Sequence, residues 1–184
     1  FLFARNAKGA DISVIEGVMG MYDGASFNSG YASSNHVATF TQTPQILVVD
    51  AAGMGRSLLS VVLGFKSFEQ NRLSGIILNN CSDKLYSQYK RLIEDACDLR
   101  VYGYLPRLKE AVISSRHLGL ITANEIADID SKLAALGEAA AQYIDLSGII
   151  ELSRTAPKLG CKNLWAGLAK TAGVRIGVAK DSAF

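Results

Sequence analysis

The stretch Asp11–Gly24, which reads DISVIEGVMGMYDG, constrains the fold more than any other part of the sequence. Ile12, Val14 and Ile15 are β-branched, a composition typical of a buried strand. The predicted strand ends at Glu16 and continues directly into a glycine-rich loop. Open α/β sheets build their sites from such loops, at the carboxyl ends of parallel strands. We therefore predict a parallel α/β sheet with its functional site at that edge.

Two acids in this loop suggest the chemistry of the site. Glu16 suits a hydrated Mg²⁺ ion, because Mg²⁺ prefers one or two carboxylates together with phosphate oxygens. Asp23 follows on the same loop and would reach a second metal shell or a substrate group. The alternative for Asp23 and Gly24 is an ordinary turn. The presence of both acids in one loop favours a functional site.

The overall composition excludes several classes of protein. With 184 residues, of which 49% are hydrophobic and 20% charged, the chain is long enough for one globular α/β domain. Its Lys and Arg residues are scattered and the net charge is only +2, which argues against nucleic-acid or acidic-membrane partners. No apolar run approaches about 18 residues, so no transmembrane helix is expected. The three widely spaced cysteines predict reduced thiols and a cytoplasmic location rather than disulfides or a zinc site.

Further strands are predicted downstream, and polar residues follow each of them. Gln45–Asp50 ends on an acid, Ser74–Asn80 ends on two amides, and Val101–Leu105 is followed by Pro106 and Arg107. Helices are predicted around Val37–Phe40, Leu58–Phe65, Asp83–Cys97, Ile126–Tyr143 (behind a Thr122/Glu125 capping box) and from about Asp145 to Leu152. Alternating strands and helices predict a parallel sheet with helices on both faces.

Candidate binding residues lie where helices begin. Ser33 and Ser34 are good N-cap residues, and their hydroxyls would either cap the helix or receive a carboxylate or phosphate. Arg56 and Ser57 open the next helix and would contact an anion there. The amide of Asn79 matches the hydrogen-bonding edge of adenine, or else only holds its loop in place.

Both ends of the chain suggest an internal piece of a longer protein. The sequence opens on Phe1 rather than Met, and it closes with the strand pattern 174–179. Residues 157–173 read as a linker in which Trp165 would act as an anchor. The oligomeric state is open, with a homodimer as one alternative, because an unpaired terminal strand invites association.

The motif Glu16–Gly24 resembles the signature of the cobyrinic acid a,c-diamide synthases. The element Arg116–Leu120, which reads RHLGL, is the second specific point of resemblance. Between and beyond these two, the resemblance continues through residues 33–38, 47–50, 53–57, 75–79, 105–107 and 175–184. It therefore covers almost the whole chain.

This resemblance implies an ATP- and glutamine-dependent ligase of cobalamin biosynthesis. Its synthetase domain would be similar to dethiobiotin synthetase, a P-loop NTPase fold, and residues 1–156 would form the C-terminal part of that domain. Residues 157–173 would link it to the first strand, 174–184, of the enzyme's own glutaminase domain. ATP would phosphorylate a corrinoid carboxylate to an acyl phosphate, which ammonia from glutamine then displaces.

The resemblance also implies roles for individual residues. Glu16 matches the acid that binds Mg²⁺, and Asp23 matches the aspartate near the reacting carboxylate. Asn79 matches the amide that reads adenine, with Pro106 and Arg107 where the adenine pocket closes. The residues expected to contact substrate are Tyr22, Ser33, Ser34, Arg56 and Ser57.

The sequence departs from the family pattern in three places. It contains no GxxxxGK[ST] phosphate loop and no cysteine nucleophile in a glutaminase context, for which Cys161 is no substitute. Asn80 stands where many relatives carry Arg. The alternatives are a nickel-sirohydrochlorin a,c-diamide synthase, a partitioning-type ATPase switch on the same scaffold, and a non-catalytic structural module.

Because the phosphate loop is missing from the sequence, we predict that this chain alone is inactive and binds Mg-ATP weakly at best. Calorimetric titration with ATP, with and without Mg²⁺, should show no tight binding. Tight binding that depends on Mg²⁺ would contradict this prediction.

Overall fold

A three-stranded parallel sheet organises the computed structural model, which describes residues 2–112, 126, 128–160 and 177. β1 (Gln45–Asp50), β2 (Leu73–Asn79) and β3 (Arg100–Tyr104) lie in the order β1-β2-β3. Val48 pairs with Ile77 and Leu78 pairs with Tyr104, so the three carboxyl ends lie at one edge. These strands are the three predicted downstream of the motif, and that prediction is confirmed.

Helices precede, connect and follow the strands. They are α1 (Leu2–Asn6), α2 (Ser34–Thr41), α3 (Ser57–Ser67), α4 (Asp83–Cys97), α5 (Ile129–Tyr143) and α6 (Leu146–Ser153). The left-handed conformation of Gln42, just before Pro44, ends α2. The carboxylate of Asp145 accepts a hydrogen bond from the Gly148 N–H at 2.9 Å and thereby caps α6.

One face of the sheet forms the core with α3 and α4. Side chains alternate along a strand, so Val49, Ile76 and Leu78 share the face that these helices cover. Leu58 and Val62 of α3 are fully buried against that face. The core is completed by Ala51, Cys81, Tyr89, Ile93, Cys97, Leu99, Val101 and Tyr104. Burial raises the pKa of the Cys81 and Cys97 thiols, so both stay protonated at neutral pH.

The opposite face of the sheet borders a large open cavity. Val48 lies on that face and is 60% exposed. The cavity, about 930 Å³ in volume, is lined by β1 and β2 on one side and by α6 and the segment 11–17 on others. Because α6 contributes Ile149 and Leu152 there, helices lie on both faces of the sheet, as the α/β fold class requires.

The predicted first strand, Ile12–Glu16, is wrong. These residues adopt no strand conformation, and each of them is exposed. A strand inside a sheet needs a backbone partner along its length. Here the cavity separates the segment from β1, so its β-branched residues have no ladder to join. The short helix α1, which the sequence patterns did not predict, precedes it.

Helix details also differ from the sequence-based expectations. The apolar sequence Leu58–Phe65 predicts a helix buried almost all round, but α3 is buried on one side only, with Leu58 and Val62 fully buried and Leu63 36% exposed. The helical spacing of Leu85, Tyr89, Leu92 and Ala96 predicts a buried stripe on α4; of these only Tyr89 is buried, together with Ile93 and Cys97. Asp83 also suggests an N-cap from its residue type, but it is the first residue of α4, and its carboxylate accepts a hydrogen bond from the Tyr104 hydroxyl at 2.9 Å.

Several predicted features lie outside the described residues. They are the Thr122/Glu125 capping box, the RHLGL element with Arg116 and His117, Cys161, Trp165 and the strand pattern 174–179. The proposed boundaries at 156/157 and 173/174 therefore stay predictions. Across the part of the chain that the structure describes, no helix is both long and apolar enough to cross a membrane.

Truncation of Leu58 tests the core. Leu58→Ala should lower the free energy of unfolding by about 2–5 kcal/mol, because it leaves a cavity in a fully buried site. The matched change on the same helix, Leu63→Ala, should cost less than about 1 kcal/mol, since Leu63 is partly solvated. Urea denaturation measures both values. Equal losses would contradict the assignment of the core face.

Candidate functional site

The motif loop, Glu16–Gly24, is folded tightly on itself at its glycines. The Asp23 N–H donates to the Gly20 carbonyl at 3.2 Å. A Cβ on Gly20 would overlap the Asp23 carboxylate, so the absence of a side chain there lets the acid lie over the loop. A Cβ on Gly24 would overlap the backbone oxygens of residues 29 and 31. A side chain at Gly24 would therefore clash with fixed backbone, whereas one at Gly20 would displace the Asp23 carboxylate.

The start of α2 holds the motif loop in place. The Asn35 N–H donates to the Met21 carbonyl at 2.9 Å, and the Ser34 hydroxyl donates to the Met19 carbonyl at 3.4 Å. A Cβ on Gly17 would overlap the Ser34 hydroxyl, so this loop glycine also lies directly against the helix. Met21 is buried beneath these contacts. The loop and the helix start form one unit.

Ser33 acts as a cap for α2. Its side chain is almost fully buried, and its hydroxyl accepts a hydrogen bond from the His36 N–H at 3.1 Å. The next N–H, that of Val37, donates to the Ser33 carbonyl at 3.1 Å. Because these donors at the helix start are already engaged, the structure supports the capping alternative for Ser33 over anion binding.

Glu16 and Tyr22 lie near the amino ends of the strands. Glu16 lines a cavity of about 270 Å³ together with Ser33, Ser34 and residues 43–46, where β1 begins. Tyr22 contacts the end of α3, just before β2 begins. The expectation that the acids share the carboxyl edge with Asn79 is therefore wrong for this structure. The expectation fails because Ile12–Glu16 does not form the predicted strand, whose carboxyl end would have placed Glu16 at that edge.

The carboxyl-edge group consists of residues at or after the carboxyl ends of the three strands: Arg56, Ser57, Asn79, Pro106 and Arg107. β2 and β3 remain hydrogen-bonded past their ends: the Leu105 N–H donates to Leu78 at 2.8 Å and the Cys81 N–H to Leu105 at 3.0 Å. Asn79 is therefore brought beside Pro106 and Arg107. Arg56 and Ser57 are exposed at the start of α3 on the same edge.

Asp50 and Asn80 form a hydrogen-bonded pair at this edge, which the sequence analysis did not predict as a site. The Asp50 carboxylate accepts hydrogen bonds from the Ala52 N–H at 3.0 Å and from the Asn80 amide at 3.1 Å. These two donors, the backbone one first, lower the pKa of Asp50, so the carboxylate is ionised at neutral pH. It is Asn80, and not Asn79, whose side chain joins the ends of neighbouring strands. The only sequence signal was that both strands end on polar residues.

The two loop acids have the chemistry that Mg²⁺ requires. Glu16 and Asp23 are both exposed carboxylates. Within the described ranges, no group of three or more His, Cys, Asp or Glu residues could hold a metal ion alone. Mg²⁺ fits such a sparse set, because it keeps several water ligands and takes phosphate oxygens from its substrate.

Comparison with known proteins confirms the resemblance inferred from the motifs. The chain is 36% identical along its whole length to the cobyrinate a,c-diamide synthase of Listeria monocytogenes serotype 4b and 37% identical to that of Thermoplasma volcanium. It is 38% identical, over 91% of its length, to the hydrogenobyrinate a,c-diamide synthase of Streptomyces coelicolor.

The chain spans about two fifths of the length of these relatives, covering 41%, 40% and 35% of them respectively. No family model matches the chain, and no solved structure matches it. The relationship is therefore one to part of a longer synthase.

Substitution of Gly24 tests whether close packing stabilises the conformation of the motif loop. Gly24→Ala should lower the melting temperature and increase proteolysis within residues 16–31, because its Cβ would overlap backbone atoms that cannot turn aside. As a control, Gly64→Ala in α3 has open space and should be neutral or stabilising by up to about 1 kcal/mol. If both variants behaved alike, the close packing described for the loop would be disproved.

Proposed function

We propose that this chain, a relative of the cobyrinate a,c-diamide synthases, is part of an ATP-dependent ligase that amidates corrinoid carboxylates. The observation that carries the proposal is the whole-length match, at 36% identity, to a synthase of that name. The glycine-packed acidic loop supports it, since two exposed carboxylates provide a place for Mg²⁺. The amide nitrogen would come from glutamine, or from ammonia directly.

The reaction would have two balanced steps. A corrinoid carboxylate oxygen attacks the γ-phosphorus of ATP, the bond to the β-phosphate oxygen breaks, and an acyl phosphate and ADP result. Ammonia then attacks the acyl carbon, phosphate leaves with the electron pair of the broken C–O bond, and one N–H proton is lost. The product is the amide.

The described residues would divide these tasks. Mg²⁺ bound at Glu16 would neutralise charge on the transferred phosphate. Asp23 would lie at the reacting carboxyl group and accept the proton that ammonia loses. Asn79 would hydrogen-bond the adenine ring beside Pro106 and Arg107. Contacts to the substrate from Ser34, Arg56 and Ser57 stay proposals of the same kind.

These roles place the proposed adenine contacts and the two acids at opposite ends of the sheet. The nucleotide would bind at the carboxyl-edge group, whereas the motif loop lies near the amino ends of β1 and β2. The proposed reaction therefore requires the triphosphate of the bound nucleotide to extend from the carboxyl-edge group towards the motif loop, which keeps the position that its contacts to α2 and α3 define.

A second candidate substrate is favoured by a specific observation. The Streptomyces coelicolor relative, at 38% identity, is named for hydrogenobyrinate rather than cobyrinate. A metal-free corrinoid is therefore a substrate to test beside the cobalt-bearing one, together with nickel-sirohydrochlorin.

ADP release by the protein produced from its complete reading frame tests the proposal. With Mg-ATP and ammonia, we expect release that depends on cobyrinate or hydrogenobyrinate. Glu16→Gln and Asp23→Asn should each reduce the rate about 100-fold or more, since each removes one of the two proposed acids. Asp95→Asn, which changes an exposed acid on α4, is the matched control and should retain the rate.

Release that depends only on nickel-sirohydrochlorin would move the protein to that tetrapyrrole and leave the mechanism intact. If no tetrapyrrole stimulated release, the ligase proposal would be wrong.

A further inference from the structure

Tyr22 uses its whole side chain to contact the protein. Its hydroxyl donates to the Phe65 carbonyl and accepts a hydrogen bond from the Asn71 amide at 3.0 Å. Its ring stacks on Phe65 with centroids 6.0 Å apart and packs on Phe68 at 5.1 Å. Because donor, acceptor and ring are all engaged, the side chain has little left to offer a substrate.

Asn71 connects this contact to the core of the domain. Its two N–H groups are shared among the Tyr22 hydroxyl and the carbonyls of Lys66 at 2.9 Å and Glu69 at 2.8 Å, and its oxygen accepts from the Leu73 N–H at 3.0 Å. The same side chain therefore holds both the end of α3 and the beginning of β2. Tyr22 is fixed to two of the elements that form the core.

The Tyr22 hydroxyl keeps its proton in this setting. Burial, the largest influence, raises the pKa of Tyr22, and the nearby Glu69 carboxylate acts in the same direction. The hydrogen bond from Asn71 opposes them without reversing the shift. The hydroxyl therefore remains a donor to the Phe65 carbonyl at physiological pH.

Asp23 is the next residue along the chain, and backbone hydrogen bonds hold it and the residues before it. Its N–H donates to Gly20 at 3.2 Å, and the carbonyl of Met21 accepts from Asn35 at 2.9 Å. With Tyr22 also fixed, the residues before the acid are held by both α2 and α3.

We infer that Tyr22 is a positioning residue, which anchors the motif loop to the end of α3 through Phe65, Phe68 and Asn71 and thereby orients the Asp23 carboxylate. This replaces the substrate contact expected for Tyr22 from the sequence. The inference rests on the proposed function, in which Asp23 serves the amidation reaction.

Tyr22→Phe, made in the protein from the complete reading frame, tests the inference because it removes only the hydroxyl. We expect kcat for corrinoid-dependent ADP release to fall about tenfold while KM for the corrinoid stays within about twofold. Hydrogen exchange of amides 17–24 should quicken. Tyr31→Phe changes an exposed tyrosine of the neighbouring segment and is the matched control, expected to alter neither quantity.

A second variant changes Asn71, the hydrogen-bond partner of the Tyr22 hydroxyl. Asn71→Asp places a carboxylate against backbone carbonyls, so it should quicken exchange in the motif loop by the same route as Tyr22→Phe. A raised KM for the corrinoid with unchanged kcat in Tyr22→Phe would show a substrate contact and overturn the inference. Unchanged exchange and unchanged kcat would overturn it as well.

Failure of the proposed function is distinguishable from these results. If the unaltered protein showed no corrinoid-dependent ADP release, the ligase proposal would fail, and the exchange measurement would still decide whether Tyr22 anchors the loop. If amides 17–24 exchanged as slowly in Tyr22→Phe and Asn71→Asp as in the unaltered protein, the claim that Tyr22 anchors the loop would be wrong.

Discussion

Backbone pairing of β2 with a strand on each side is the interaction on which the rest of the structure depends. It aligns three strand ends at one edge, so that Asn79 lies beside the segment 105–107 and Asp50 is within hydrogen-bonding distance of Asn80. It also presents one apolar face on which α3 and α4 pack. β1 has no partner on its other side among the described residues, and there the regular architecture ends. The irregular segment 11–17 does not extend the sheet there, and it faces β1 and β2 across the cavity that borders the open face of the sheet.

The motif loop illustrates what a pattern of closely spaced glycines does physically. Its glycines do not contribute catalytic groups. They permit close approach, at Gly17 to the Ser34 hydroxyl, at Gly20 to the Asp23 carboxylate and at Gly24 to the following backbone. The loop is then held by backbone hydrogen bonds to α2 and by the Tyr22 side chain on α3. A pair of exposed acids can have a defined geometry only if the loop that carries them is fixed in this way.

The three downstream strands and the helices between them were predictable, because each combines β-branched or periodic apolar residues with clear boundaries. The observed limits of β1 match the prediction, and those of β2 and α4 lie within one residue of it, because they follow from that local information. Ile12–Glu16 has the same β-branched composition as β1, yet it is exposed. Strand formation requires a partner, and composition cannot supply one. The role of Ser33 was also stated as an alternative from the sequence, and only the buried hydroxyl with its bond to His36 favoured capping.

The sequence by itself determined the α/β class, the positions of most elements and, through the motif Glu16–Gly24, the relationship to corrinoid a,c-diamide synthases. These depend on local propensity and on side-chain identity, which are readable from the chain. The tertiary structure decided which predicted site residues come together: Asn79 with Pro106 and Arg107, and Glu16 with Ser33 and Ser34 at the other end of the sheet. It also showed that Tyr22 is bound to Phe65 and Asn71. Such proximity depends on strand order and on hydrogen bonds between residues far apart in sequence, which no local pattern encodes.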